Sequence, residues 1–142
     1  MSLEDGILRD YMRAEGRDMS ACIVDCSLED TGFSYTMSLI QGKYKIYILY
    51  TLMEFGVVRF NEMQRYIGTV TYKTLSSTLK QMEANGLVSR KEYPQIPPKV
   101  EYSLTKKGES LMPIIHEMCE WGTSHRKDAE RTDEKSIATA DS

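Results

Sequence analysis

Reactive side chains are few along this chain, and most are poorly grouped. Cys22 and Cys26 stand four residues apart, so on a helix they would offer two sulfurs on one face. A structural zinc site needs four ligands, and no second pair with suitable spacing follows. No metal and no cofactor is therefore expected. His116 and His125 lie near the end, far in sequence from any Ser, Cys or acid arranged as a triad, so no catalytic residue can be named and an enzyme is not expected. Cys119 reads as a small buried hydrophobe. The group with the clearest chemistry is Lys73, Ser76, Ser77 and Lys80, which recur at i, i+3, i+4 and i+7. On a helix this spacing makes one face of two cations and two hydroxyls, a set that suits phosphates and base edges. An ordinary solvated helix face would read the same way.

The flanking residues specify how that face is positioned. Thr71 caps a helix that Asn85-Gly86 closes, and Tyr72, Leu75, Leu79 and Met82 form its apolar side. A shorter helix, Glu62 to Ile67, precedes it, capped by Asn61 and ended by Gly68. Two helices joined by a short glycine-containing turn predict a helix-turn-helix. Leu87 to Tyr93 then reads as a strand, Pro94-Gln95-Ile96-Pro97-Pro98 as a rigid turn, and Lys99 to Leu104 as the returning strand. Arg90, Lys91 and Lys99 make this hairpin basic, as in a wing that lies along phosphate; a hairpin that only completes the core is the alternative. Upstream, Ile46, Leu49, Tyr50 and Met53 predict a helix over Lys43 to Phe55 stopped by Gly56. Downstream, Leu111, Ile115 and Met118 form an apolar stripe on a final helix that Pro113 should kink.

The chain of 142 residues, 41% hydrophobic, is sized for one domain with one core. Its net charge of −3 is unevenly spread: from Lys43 to Lys107 there are eleven Lys or Arg against five Glu, and the remainder is acidic. A basic middle between acidic ends suits a DNA-binding core. No apolar run is long enough to span a bilayer, the N-terminus is acidic where a secretory signal would be basic, and three cysteines suit a reducing compartment. A cytoplasmic protein is expected, organised as a mobile segment 1–20, a folded domain 21–123 and a flexible polar tail 124–142.

The run Tyr93-Pro94-x-x-Pro97-Pro98-Lys99-Val100-Glu101-Tyr102-Ser103-Leu104-Thr105 closely resembles the wing signature of HxlR-type transcriptional regulators. The similarity extends back through Cys26, Ile40-Gln41-Gly42-Lys43-Tyr44-Lys45, Arg59-Phe60-Asn61-Glu62 and the Thr71 to Glu83 helix, and forward to Cys119-Glu120-Trp121-Gly122. Tyr44 stands where the family usually has Trp, and Ser27 where Pro usually follows the cysteine. The resemblance implies a mainly α, MarR-like winged helix-turn-helix with a small β-hairpin wing, forming a homodimer through terminal helices on a palindromic double-stranded operator. It places Thr71, Lys73, Ser76, Ser77 and Lys80 in the major groove, with Arg90, Lys91 and Lys99 on the wing.

For the dimer, Leu111, Ile115, Met118 and Trp121 are expected at the interface, together with the helix around Phe33 to Leu39. Cys26 matches in position the N-terminal cysteine of oxidant-sensing relatives, which leaves two readings: a sensor of oxidants or electrophiles, or a structural cysteine near the dimer interface. The effector is not specified by the sequence. The function expected is sequence-specific DNA-binding transcriptional regulation; a winged-helix module that contacts only proteins is the alternative.

Overall fold

The helix that carries the outward lysines is fixed from within. Leu75, Leu79 and Met82, at i, i+4 and i+7, are fully buried, each worth about 1.5–3 kcal/mol relative to exposure. The Thr71 hydroxyl accepts from the Thr74 amide at 3.2 Å and starts the helix. At its end Gly86 takes φ +75°, and the Leu87 amide reaches back to the Met82 carbonyl at 3.0 Å. That bond satisfies a carbonyl the helix leaves open, and the positive φ suits glycine.

A computed structural model describes Tyr11, residues 13–16 and residues 27–140, with side chains as far as Arg131. Cys22 and Cys26 lie outside the described residues. Two compact units divide the chain, residues 1–46 and 47–142. In the first, a 3-10 turn at Leu28–Asp30 leads into α1, Gly32–Ile40, where the Thr31 hydroxyl accepts from the Ser34 amide at 3.1 Å. Phe33 and Tyr35 on α1 are exposed. Helix α2, Lys45–Phe55, begins at the end of this unit.

The second unit continues with β1, Val58–Arg59, then α3, Phe60–Ile67, and α4, Tyr72–Ala84. The strands β2, Val88–Tyr93, and β3, Lys99–Leu104, form the wing, and α5, Lys106–Glu109, precedes α6, Met112–Ala140. The sheet is antiparallel in the order β1-β3-β2, with Val58 opposite Tyr102, Arg59 opposite Glu101, Lys91 opposite Glu101 and Tyr93 opposite Lys99. Its core consists of Ile48, Leu49 and Leu52 from α2, Met63 from α3, the α4 stripe, Leu87, Val88, Tyr102, Leu111 and Ile115.

Several local expectations shift. The helix expected from Lys43 starts at Lys45, and Ile48, Leu49 and Leu52 are its buried face, while Tyr50 is exposed. Nearly every position there is apolar, so periodicity alone selects the wrong stripe. Arg59 rather than Asn61 stands at the start of α3, where its amide donates to the Glu62 carboxylate at 3.4 Å. Tyr72 is exposed and packs its ring against Phe60, with centroids 4.9 Å apart. Pro113 produces no break in α6, because it sits in the first turn, where an amide would have no helical partner. The polar residues from Ser124 continue the helix to Ala140; they are rich in good helix formers, and Arg126 pairs with Glu130 one turn on at 3.0 Å.

Candidate nucleic-acid interface

The turn between α3 and α4 sets the angle at which α4 is presented. Gly68 has φ +81° and its amide donates to the Gln64 carbonyl at 2.9 Å. The Gln64 side chain in turn donates to the Val70 carbonyl at 3.3 Å, and Val70 is buried beneath. A glycine that relaxes the backbone and a glutamine that bridges it thus hold the short connection in one shape.

With Leu75, Leu79 and Met82 inward, the opposite side of α4 is open. Tyr72, Lys73, Ser76, Ser77 and Lys80 together line one shallow outward surface. Among the described residues neither Lys73 nor Lys80 enters an ion pair. Thr71 is exposed but its hydroxyl is committed to the helix start.

Beside α4 the wing closes a cleft of about 580 Å³, bordered by Lys80, Ser76 and Tyr72 from α4, Arg59 and Asn61 from the start of α3, and Arg90 and Lys99 from the wing. Four cations therefore border one groove. Arg90 is paired with Glu92 at 3.2 Å, and the neighbouring Tyr102 hydroxyl, then Glu92, raises its pKa further. Lys99 is paired with Glu101 at 2.8 Å. Lys91 lies over the Tyr93 ring, 4.9 Å from its centroid. The structure thus brings together Lys80, Ser76, Arg90 and Lys99 around the cleft, with Lys73 and Ser77 on the adjoining surface; Lys91 lines neither. Arg59, Asn61 and Tyr72 are additions to the site. Arg59 is brought there by pairing with β3 more than forty residues on, a relation that no local spacing announces.

The far end of the unit differs from expectation. Leu111 and Ile115, expected at a dimer interface, are 9% and 6% exposed and belong to the chain's own core. Among the described side chains, the apolar surface of α6 that remains open is Met112, Ile114, Met118 and Trp121. Cys119 is exposed rather than buried. His125 stacks on Trp121 with ring centroids 4.1 Å apart, and His116 lies 3.8 Å from Glu120. No three His, Cys, Asp or Glu side chains among the described residues are grouped to hold a metal, and no described helix is long and apolar enough to cross a membrane.

A helix-turn-helix closed by an antiparallel wing, with cations on both, is the architecture of winged-helix DNA-binding regulators. The chain belongs to the HxlR-like helix-turn-helix family, which it matches over residues 39–130. It is 60% identical over 100 residues to an uncharacterized HTH-type transcriptional regulator of Halalkalibacterium halodurans, covering 70% of this chain and 88% of that one. Among solved structures, it is similar to the redox regulator HypR in its reduced form, at 42% identity and TM-score 0.66, over 71% of this chain and 99% of that one. It is also similar to the reduced form of the transcriptional regulator YodB from B. subtilis, at 35% identity and TM-score 0.56, over 63% and 86% of the two chains. The chain is thus an HxlR-type helix-turn-helix transcriptional regulator, and its family is one of regulators rather than enzymes.

Proposed function

We propose that the chain acts as a cytoplasmic homodimer on a two-fold symmetric operator, with one α4 in the major groove of each half-site and each wing against the adjoining backbone. The observation that carries this reading is the single outward face of Lys73, Ser76, Ser77 and Lys80, continuous with a cleft bordered by Arg59, Arg90 and Lys99. Thr71 stands at the entering end of α4. Serine hydroxyls can address base edges, while the lysines and arginines address phosphates. Half-sites about one helical turn apart, roughly 34–36 Å, fit such a dimer. The subunit contact is made by the open apolar side of α6, Met118 and Trp121 foremost.

Responsiveness to oxidants or electrophiles through Cys26 is part of this proposal, supported by the likeness to the redox regulator HypR. The test of the whole reading is a salt-titrated binding assay with a duplex located by footprinting upstream of the chain's own gene. Tight binding there, weakened steeply by salt and weaker to a random duplex, is expected. Equal and weak binding to both duplexes overturns it.

A further inference from the structure

The wing carries a carboxylate where a phosphate-binding face has no use for negative charge. Arg59 and Lys91 both stand opposite Glu101, and Tyr93 stands opposite Lys99. Side chains alternate along strands, so these five residues share one face of the sheet. Lys99 Nζ lies 2.8 Å from Glu101 Oε1, and the Tyr93 hydroxyl donates to Glu101 Oε2 at 3.1 Å, so both carboxylate oxygens are engaged. The Tyr93 ring also has Lys99 Nζ 4.8 Å and Lys91 Nζ 4.9 Å from its centroid. The side chains of Lys99 and Glu101 are only 25% and 19% exposed, which sets this pair apart from the more exposed Arg126–Glu130 pair of α6. Pairs held this way are screened less by salt.

We propose that Glu101 restrains the wing: it holds Lys99 in the free protein, so that Lys99 engages phosphate only when α4 is seated in its own operator. This rests on the DNA-binding reading above. A lysine free at the wing tip strengthens binding to any duplex, because a phosphate contact carries no sequence information. Bound to Glu101, Lys99 reaches phosphate only by giving up a charged partner, and on random DNA the exchange gains little. On the operator, base contacts of α4 fix the register and bring one phosphate to the wing. Tyr93 and Arg59 remain beside the carboxylate after Lys99 has left, so the exchange does not strand a bare charge.

The experiment compares wild type, Glu101→Gln, Lys99→Met and the double variant on the footprinted duplex and on a random duplex of equal length, each across a salt series. Glu101→Gln keeps an acceptor for Tyr93 and removes the charge; Glu101→Ser is a second charge-removing variant should the first misfold. Expected is several-fold tighter binding of Glu101→Gln to random duplex, with a salt slope steeper by about one because Lys99 newly reaches phosphate; tighter operator binding at an unchanged slope, because wild type already releases Lys99 there; and no such gains when Lys99 is Met. NMR of the lysine ammonium groups in the free protein should show the Lys99 resonance moving when Glu101 is replaced. A random-duplex salt slope that Glu101→Gln leaves unchanged, a slope that steepens equally on the operator, a gain that survives in the Lys99→Met background, or an unmoved Lys99 resonance overturns the proposal. Wild type that fails to prefer the operator overturns the DNA-binding reading and this proposal with it, whereas operator preference with an unchanged random-duplex slope overturns this proposal alone.

Discussion

A side-chain carbon placed on Gly108 would stand 2.3 Å from the carbonyl oxygen of Leu87. That oxygen accepts from the Thr105 amide at 3.1 Å, and the Thr105 hydroxyl accepts from the Gly108 amide and itself donates to the Gly86 carbonyl. Lys107 Nζ meets the Asn85 carbonyl at 3.2 Å, at the end of α4 where positive charge is favourable. The start of α5 is thus locked against the link between α4 and the wing. Gly108→Ala is expected to destabilise the fold by about 1–3 kcal/mol, since the close neighbour is backbone and cannot turn aside. Urea unfolding followed by circular dichroism measures it; a midpoint within error of wild type contradicts the close approach.

Lys73→Ala and Lys80→Ala are each expected to weaken operator binding with no change in circular dichroism. A lost phosphate contact lowers the salt slope by about one, and a lost base contact costs about 1–3 kcal/mol at one operator position. Wild-type affinity and slope in both variants would remove this face of α4 from the groove.

Trp121 is 66% exposed and Met118 50% exposed on the open side of α6. Replacing Trp121 by Glu is expected to shift the dimer toward monomer in equilibrium sedimentation at micromolar concentration, with the helix content kept. A wild-type monomer under these conditions would defeat both the dimer and the two-fold operator.

The Lys99 ammonium, aided by the Tyr93 hydroxyl and the Arg59 charge, holds the Glu101 carboxyl below its ordinary value near 4.5. The folded state then binds fewer protons here than the unfolded one, so the stabilisation is complete above about 4.5 and is lost as pH falls through the lower folded value. Glu101→Gln is expected to flatten this part of the acid limb of a stability-against-pH curve. An acid limb that keeps its slope would show the carboxyl to be unperturbed.

Diamide is expected to abolish operator binding by wild type, reversibly with a thiol reductant, and to spare Cys26→Ser. Equal loss in both, or none in wild type, would remove Cys26 as a sensor. Cys119 is exposed, so Cys119→Ser belongs in the same series as a control for a second reactive thiol.

Helix α4 was legible because its signals are local. Thr71 and Asn85-Gly86 mark its ends, and three apolar residues at helical spacing select one face. The hairpin was legible from its proline-rich tip. Helix α2 was legible as a helix but its buried face was not, because an almost wholly apolar stretch offers several equivalent stripes and only packing chooses among them. Periodicity places Leu111 and Ile115 on an apolar face without saying what covers it, so the sequence alone cannot tell a partner from the chain's own core. The two-residue strand β1 was hidden for a different reason: its partner lies far along the chain, and Arg59 enters the cleft only through that pairing.

At 1.5 Å per residue, the 29 residues of α6 make a rod about 44 Å long. Ile115 in its first turns, and Leu111 just before it, root it in the same core that seats α4. Such a rod is a lever. A tilt of about five degrees at the root carries its far end through about 4 Å, a small disturbance read out as a large displacement. In the symmetric pair proposed above the same lever would work in reverse: a slight slip where two rods meet would be returned to each core as a change in the aim of α4.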